Sequence, residues 1–316
     1  MKDFNIYAVG GAAIKIANRY LEEGVNHRFL NKLVGFDSSD ADKELEGAYP
    51  IERLEGASGS GGDRTAFADQ WGPFSKAMIA KYPAAKVNIV VFSTGGGTGA
   101  SLGPWMVRQM LLKKIPVVAI VVGDTSSLKE QENTIATLGS LYNQIKTGSP
   151  VVFSFLENTL KNTHGQVNAD AVARIDNTMM IFNSENKSID DADIKNFFYY
   201  TDVVNADPIM TQLTFLADNQ LETYNRKPIA AISLFVKPDD VRAPFQDMLY
   251  RKGGVFGDSF TNIGTGVHAV LDHGDTLRGL QEMIAAQQTR TDEMAVQFRN
   301  KEANPFGGSA SDDGMM

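Results

Sequence analysis

The sequence predicts an α/β protein with a doubly wound, mostly parallel sheet that holds a ligand at one edge. Over the first 160 residues, apolar segments of strand length alternate with segments of helical periodicity, and this alternation produces parallel sheets covered by helices. Glycine-rich loops follow several of the strands, the strongest being Gly95-Gly96-Gly97-Thr98-Gly99. Ligands of such sheets bind beyond the carboxyl ends of the strands, where these loops fall.

Composition limits the classes of partner. With 316 residues, 43% of them hydrophobic, the chain is long enough for two modest domains and a sizeable core. A net charge of −8 argues against a general affinity for nucleic acid or an anionic membrane, because both require basic patches. The absence of cysteine excludes disulfides and thiolate metal sites and fits a reducing cytoplasm. No apolar run reaches membrane-spanning length and no signal-peptide pattern opens the chain, so we expect a soluble protein.

The first half of the chain consists of strand, loop and helix units. Phe4–Val9 is a strand that ends in a glycine pair, and the apolar spacing of residues 14–22 predicts a helix after it. This unit lacks the dinucleotide fingerprint, because Ala12 and Lys15 stand where glycines are needed. A glycine cluster at 56–64, taken alone, is more typical of a surface loop. Further strands are predicted at 33–36, 51–54, 115–122 and 151–155, with a polar helix at 130–147.

The loop from Gly95 to Gly99 has the chemistry of a phosphate site. Glycines adopt positive φ and carry no Cβ, so successive backbone N–H groups can converge on an anion. The helix that follows, with Pro104 expected in its first turn, adds unpaired amides and the positive end of its dipole. A flexible hairpin or a turn from another kind of active site is the alternative, but this order of strand, glycine run and helix is rare by chance.

The second half begins with a helix of a different kind. Residues 166–182 are apolar nearly all round, which predicts a buried helix that joins the nucleotide domain to a second one. Beyond it we predict helices near 192–200 and on to about 221, a strand at 228–236, a helix at 239–250, β segments near 255–260 and 267–271, and a long last helix at 275–303. The predicted domains are a nucleotide-binding domain 1–165, the central helix 166–186, an α+β second domain 187–274, and the last helix with a flexible tail 275–316.

Two motifs carry a resemblance to a known family. The run from Gly95 to Ser101, GGGTGAS, resembles the tubulin signature loop. A second motif, IDDADI at residues 189–194, resembles the acidic run that FtsZ-like proteins place just after their central helix. The order of glycine clusters, phosphate loop, central helix and acidic loop also agrees. Over essentially its whole length the chain resembles the tubulin/FtsZ superfamily, and most closely its bacteriophage branch, the PhuZ-type phage tubulins.

The resemblance implies a guanine nucleotide site. It assigns the nucleotide phosphates to three glycine loops, which reverses the surface-loop interpretation of residues 56–64. The second loop, with Asp37 and Ser38, borders the nucleotide, and loop 123–127 with Glu130 lies near the ribose. The phosphate loops comprise Gly10, Gly11 and Ala12, then Gly59, Ser60, Gly61 and Gly62, then Gly95, Gly96, Gly97, Thr98 and Gly99.

The resemblance also implies how the base is bound. Asn158, His164 and Asn168 fit the family pattern of an asparagine, an aromatic residue and an amide or acid four residues further on. Positions four apart share a helix face, so the imidazole could stack on the purine while the Asn168 amide reads its edge. His164 departs from the usual tyrosine or phenylalanine, and Lys15 stands where relatives often have asparagine. Without the other motifs, His164 and Asn168 are ordinary residues at the start of a helix.

Hydrolysis at subunit contacts follows from the acidic loop of the family. Asp190 and Asp193 of one subunit would reach the γ-phosphate held by the next and orient the attacking water. In isolation the same aspartates are a helix-capping sequence, and both roles can coexist. Mg²⁺ is expected as a cofactor beside GTP and GDP, held largely through waters, because neither a carboxylate cage nor a Walker lysine is visible.

The resemblance therefore implies a polymerising GTPase whose filaments position phage DNA in the cytoplasm of an infected bacterium. Its partner is a second copy of the chain, bound through the GTP face, the acidic loop and a tail that carries Asp312 and Asp313. We expect no direct nucleic-acid binding and no membrane association. A nucleotide-binding scaffold without turnover is the first alternative. An NAD-dependent oxidoreductase of doubly wound fold is the second, and the missing dinucleotide fingerprint disfavours it.

Overall fold

The computed structural model describes residues 2–40, 48–124, 127–158 and 162–273, together with isolated helical positions between 279 and 296. The chain divides into two units, Met1–Thr276 and Leu277–Met316. Most of the predicted last helix and the whole predicted tail, with Asp312 and Asp313, lie outside the described residues. The domain boundaries therefore stay predictions.

Ten strands form one mixed sheet in the first unit. Their order across the sheet is β3-β2-β1-β4-β5-β6-β7-β10-β8-β9. All neighbouring strands pair in parallel except β10, which runs antiparallel to both β7 and β8, so the predicted mostly parallel sheet is confirmed. The strands are β1 Phe4–Val9, β2 Leu30–Asp37, β3 Ile51–Arg53, β4 Val87–Ser93, β5 Val117–Asp124, β6 Val151–Asn158, β7 Met210–Ala217, β8 Pro228–Phe235, β9 Tyr250–Val255 and β10 Val267–Asp272.

Five of the six described α-helices of this unit fall into two packing groups, and α6 packs against β8 and β9. One group places α1 against α5, and the other places α3 between α2 and α4. The central strands are mostly apolar, FNIYAV in β1 and VNIVVFS in β4, as expected for strands buried on both faces. The helices are α1 Gly11–Glu23, α2 Ala68–Lys81, α3 Thr98–Leu111, α4 Leu128–Tyr142, α5 His164–Phe182 and α6 Asp191–Phe198. Within the described residues, no helix combines the length and the apolar character that crossing a membrane requires.

The buried central helix is confirmed as α5. It contacts β5 and β6 of the first half and β8 and β10 of the second, so one helix supports both parts of the sheet. Asp176 on α5 accepts hydrogen bonds from the backbone N–H groups of Val25 and Asn26, which anchors the turn after α1. Burial raises the pKa of Asp176, against the lowering effect of these amides.

Several elements of the second half differ from the prediction. The predicted helix at 239–250 is wrong: a 3₁₀ turn at Pro238–Asp240 is followed by irregular chain and then by β9. Pro244 lies in the middle of that segment and removes a helical donor. The helical prediction up to about residue 221 is also wrong, because β7 occupies residues 210–217 and pairs with β6 and β10. The helix α2 was not predicted, because it contains the helix-breaking residues Gly72 and Pro73.

Candidate functional site

A cavity of about 260 Å³ opens at the carboxyl ends of β1, β2 and β4. It is built from four loops that are distant in sequence, and it collects most of the residues predicted to contact phosphates. We call it the glycine cradle. Its lining residues are Val9, Gly10, Gly11, Ala12, Asp37, Ser39, Gly59, Ser60, Gly61, Ser93, Gly96, Gly97, Thr98 and Gly99.

Close backbone packing explains why glycine is needed here. Gly10 has a φ of 84°, and a Cβ on it would lie 3.0 Å from the backbone nitrogen of Gly99. A Cβ on Gly97 would overlap the Ser60 hydroxyl and approach the Asp63 carbonyl to 2.7 Å. Because real Cβ atoms avoid such distances, only glycine lets the first, third and fourth loops meet.

Two helix N-termini meet at the cradle without side-chain caps. The α1 helix begins at Gly11 after Gly10, and the α3 helix begins at Thr98 after Gly97. Neither has a capping side chain or an acidic residue in its first turn. By contrast, Ser127 caps α4 and Thr163 caps α5. Free amides and the positive ends of two dipoles therefore remain available to an anion.

The α3 helix differs from the prediction in one detail. Pro104 lies in its second turn rather than its first, and there it removes the donor that would bond to the Ala100 carbonyl. The Thr137 hydroxyl of α4 donates to that carbonyl at 3.3 Å instead. The helix therefore keeps its buried carbonyl satisfied.

The second loop supports the cradle more than it lines it. Asp37 lines the cavity, and its carboxylate accepts a hydrogen bond from the backbone N–H of Ser38 at 2.7 Å. Ser38 is buried, with its hydroxyl 2.6 Å from the Thr98 hydroxyl at the start of α3. This contact joins the second loop to the phosphate loop.

Asn133 on α4 was missed in the sequence. It is buried, and its side-chain amide donates to the carbonyls of Gly62 at 2.8 Å and Gly95 at 2.9 Å. These bonds explain the places of Gly62 and Gly95, which stand behind the cavity rather than in its lining. The neighbouring Thr134 donates to the Asp124 carbonyl at 3.0 Å. A polar stripe on α4 thus supports the glycine loops.

The residues predicted to contact ribose and base stand outside the cradle lining. Glu130 packs behind Gly95, where an added Cβ would lie 3.3 Å from its Cγ. The Asn158 amide lies 3.5 Å from the Asp124 carboxylate. His164 and Asn168 begin α5 one turn apart, and residues 125–126 and 159–161 lie outside the described residues. Lys15 is an exposed residue of α1 that does not line the cradle. Their nucleotide contacts stay predictions.

Asp190 and Asp193 form a capping box at the start of α6. The Asp190 carboxylate accepts from the Asp193 N–H at 2.8 Å, and the Asp193 carboxylate accepts from the Asp190 N–H at 3.2 Å. Asp193 is also held by Lys252, 2.8 Å away, and by the Tyr250 hydroxyl at 3.1 Å. Partial burial alone would raise the pKa of Asp193, but Lys252, the Asp190 amide and Tyr250 together lower it. The capping interpretation is therefore correct, and Asp190 remains the more exposed carboxylate.

The acidic loop lies at the opposite edge of the sheet from the cradle. Asp3, just before β1, accepts hydrogen bonds from the N–H and hydroxyl of Ser184, which follows α5. Lys86, just before β4, forms an ion pair with Asp191. The seven residues of β4 span about 20 Å. A single chain therefore cannot bring Asp190 to its own glycine cradle.

A hydrogen-bonded chain of serine, histidine and aspartate occurs away from these sites. His268 lies 2.9 Å from the Ser233 hydroxyl and 3.1 Å from the Asp218 carboxylate. Ser233 is only 1% exposed and His268 is fully buried, so no substrate can reach the hydroxyl. Burial lowers the pKa of His268 despite the opposing effect of Asp218. This group is structural and does not indicate a hydrolase.

The fold with its glycine cradle and central helix is that of the tubulin/FtsZ superfamily. A structure of the PhuZ201 filament matches with a TM-score of 0.82 at 21% identity, and the phage tubulin PhuZ(SeMet)-GDP matches with a TM-score of 0.83 at 22%. Each match covers 92% of this chain and 92% of the other. The predicted fold is confirmed.

Sequence comparison is more specific. The chain is 28% identical over 235 residues to a phage tubulin-like protein of Pseudomonas phage PhiPA3, covering 73% of this chain and 72% of that protein. It is 28% identical over 249 residues to the phage tubulin-like protein of Pseudomonas phage phiKZ, covering 74% of each. No model of a protein family matches the chain. The predicted resemblance to the phage tubulins is thereby confirmed.

Proposed function

We propose that this chain binds GTP in the glycine cradle, assembles head to tail into filaments, and hydrolyses GTP at the contact between subunits. The observation that carries the proposal is the pair of uncapped helix N-termini that meet at the cradle. An anion placed there supplies the missing caps and meets two dipoles. Among the relatives, one similar structure is a filament and another is a phage tubulin with GDP.

Backbone groups do most of the phosphate binding in this proposal. None of the described residues that line the cradle is a lysine or an arginine, so amides of Gly96, Gly97 and Gly99 and the hydroxyl of Thr98 face the phosphates. The tight contacts of Gly10 and Gly97 hold these amides in place before the ligand arrives. Such preorganised donors bind an anion without a large cost of rearrangement.

Magnesium fits this site only as an ion carried by the nucleotide. Within the described residues, no cluster of three or more histidine and acidic side chains could hold a metal. Asp37 is the one carboxylate among the described residues of the cradle lining, which matches the preference of Mg²⁺ for phosphates, water and one or two carboxylates. When bound, the ion neutralises phosphate charge.

The catalytic carboxylates come from the next subunit. Asp190 and Asp193 lie at the edge opposite the cradle, so head-to-tail stacking is the arrangement that joins the two halves of the site. Asp190 is exposed and can accept a hydrogen bond from an attacking water. Asp193, which is held by Lys252 and Tyr250, keeps the loop and Asp190 in position.

The cellular role follows from the phage relatives. We propose that the filaments position phage DNA in the cytoplasm of the infected bacterium, with a further copy of the chain as the direct partner. Direct nucleic-acid binding is disfavoured by the net charge of −8. Assembly without turnover is the alternative that the experiment must separate.

Light scattering with parallel measurement of phosphate release tests the proposal. After addition of GTP, scattering should rise and phosphate should appear, whereas ATP and NAD should produce neither change. Gly97→Val is the matched negative control, because its side chain fills the cradle beside Ser60. Scattering without phosphate release would favour the scaffold, and assembly driven equally by ATP would contradict the guanine site.

A further inference from the structure

A second cavity, of about 360 Å³, lies among α2, α3 and the end of α4. It shares no lining residue with the glycine cradle. We call it the arginine–tryptophan pocket. Its lining residues are Arg64, Thr65, Ala68, Trp71, Ser101, Pro104, Trp105, Arg108, Ser140, Asn143 and Gln144.

The charge in this pocket is entirely positive, although the chain has an acidic excess. Arg64 and Arg108 are its charged lining residues, and neither forms an ion pair with any described residue. Their hydrogen bonds go to neutral groups, from Arg64 to the Ser140 hydroxyl at 2.9 Å and from Arg108 to the Gln144 side chain at 3.1 Å. The Arg64 Nε is buried and has no hydrogen-bond partner among the described groups.

A buried guanidinium donor without a partner carries a desolvation cost that nothing in the protein offsets. Burial also lowers the pKa of Arg64, and no neighbouring carboxylate counters that effect. An anion in the pocket would supply both the missing acceptor and the missing charge.

Aromatic rings complete the pocket. The chain has two tryptophans, and both line this cavity. Trp71 is buried and donates from its ring nitrogen to the Ala66 carbonyl at 2.9 Å, whereas Trp105 is 38% exposed. The Arg108 Cζ lies 5.9 Å from the Trp105 ring centroid. The wall therefore combines apolar area with nearby cationic donors, as small-molecule sites do.

We propose that the arginine–tryptophan pocket binds a small molecule that carries an oxyanion, either a phosphate or a carboxylate, on a ring-shaped or apolar body. Guanidinium groups match both oxyanions, because their planar N–H donors pair with two acceptor oxygens at once. The indole of Trp105 would cover the apolar part. The cavity lies within the range of volumes that small ligands use.

The pocket is connected to the glycine cradle through one short segment. Ser60 lines the cradle and accepts the Asp63 N–H at 2.9 Å, and Arg64 follows directly. The Ser101 hydroxyl on α3 donates to the Arg64 carbonyl. A ligand that holds Arg64 should therefore bias the loop over the cradle and change nucleotide affinity. This coupling rests on the proposed function, whereas binding in the pocket does not.

Tryptophan fluorescence tests binding directly, because both tryptophans report on this pocket. Phenyl phosphate and benzoate are the probes, titrated into the full-length chain without nucleotide. A saturable change in emission is expected for phenyl phosphate if the site selects phosphate, and for benzoate if it selects carboxylate. Arg64→Gln and Arg108→Gln should each weaken that binding by roughly tenfold, the effect of losing one charge-assisted hydrogen bond.

Arg251→Gln is the matched control, since Arg251 is an exposed residue of β9 outside the pocket, and it should bind like the unaltered chain. Circular dichroism checks that each variant is folded. If Arg64→Gln is unfolded, the binding measured with Arg108→Gln tests the proposal. No saturable change with either probe, or an unchanged response in the folded arginine variants, would overturn the proposal. If the unaltered chain shows the tryptophan response to a probe but does not assemble with GTP, only the proposed function is contradicted.

Discussion

The helices at the two edges of the sheet differ in the charge at their N-termini. At the carboxyl edge, α1 and α3 begin at the cradle with neither a capping side chain nor an acidic residue in their first turns. At the amino edge, α6 begins with two carboxylates that cap it reciprocally, and Lys252 neutralises one of them. The first turns of α1 and α3 lack negative charge, whereas the first turn of α6 carries it. This difference supports the proposal that the complete site forms when the two edges of different subunits meet.

The same contrast exists among helices at the carboxyl edge itself. The α4 and α5 helices also follow the carboxyl ends of strands, yet Ser127 and Thr163 cap them. Four described helices begin at this edge, after β1, β4, β5 and β6. Of these four, only the two at the cradle, α1 and α3, have no side-chain cap. The missing caps are therefore specific to the cradle, which supports the proposal that an anion binds there.

The largest expected effect separates capping from catalysis at Asp190. Asp190→Ser keeps a good helix cap but removes the carboxylate, so the protein should fold, bind GTP and assemble. Its GTP turnover should fall by about a hundredfold or more, because a group that positions the attacking water is lost. Asp190→Ala and Asp193→Ala should also lose turnover. Single-turnover phosphate release from preformed filaments measures the effect, and normal turnover by Asp190→Ser would reduce Asp190 to a cap.

Mixing variants tests whether the two edges act across subunits. A Gly97→Val subunit cannot hold GTP but carries intact aspartates, whereas Asp193→Ala has the opposite defect. A mixture should regain a measurable part of the turnover that each variant lacks alone. Phosphate release plotted against mixing ratio should pass through a maximum. If phosphate release at every mixing ratio is only the sum of what the two variants release separately, the shared site is contradicted.

Removing the Asn133 side chain, which supports the glycine loops from behind the cradle, should have an effect of intermediate size. Asn133→Ala leaves the Gly62 and Gly95 carbonyls without their donor. We expect a loss of about 1–3 kcal/mol in the free energy of unfolding, the cost of unsatisfied buried groups, and weaker GTP binding. Glu132→Ala, at an exposed position of the same helix, is the control. Denaturant unfolding and nucleotide titration check both variants, and equal behaviour of the two would remove Asn133 from the site.

A smaller effect is expected in base selection. The Asn168 amide offers a donor and an acceptor, which complement a guanine edge and not an adenine edge. Asn168→Ala should reduce the preference for GTP over ATP by about 1 kcal/mol or more while leaving phosphate contacts intact. Competition binding measures the ratio of affinities. Equal affinity of the unaltered chain for ATP and GTP would remove this role from Asn168.

The smallest effect concerns the predicted tail. Removing residues 304–316 should leave GTP binding unchanged and raise the critical concentration for assembly, because a tethered contact increases the local concentration of its partner site. Light scattering across a protein dilution series measures that threshold. If the threshold is the same with and without these residues, they take no part in assembly.

Local signals predicted the first and fourth loops of the cradle as glycine turns between a strand and a helix, whereas the cluster at 59–62 was assigned to the site only by the family resemblance. The strand Phe4–Val9 has the predicted bounds, and the glycine clusters at residues 10–11, 59–62 and 95–99 come together around one cavity. These features depend on apolar runs and on the φ freedom of glycine, both of which act within a few residues. The strands β7 and β9 were missed because their pairing is with distant strands, and local propensity at 210–217 and 250–255 does not record it.

Asn133 and Arg64 show what only the tertiary structure decides. In the sequence, Asn133 is one more polar residue on a polar helix; in the fold it donates to carbonyls 71 and 38 residues away. Arg64 closes a glycine cluster in the sequence and lines a second pocket with both tryptophans in the fold. The sequence by itself determined the sheet apart from β7 and β9, and the loop from Gly95 to Gly99, because these follow from local periodicity and backbone freedom. Only the tertiary structure determined which polar side chains support the loops and which line the second pocket, because these depend on contacts between residues far apart in the chain.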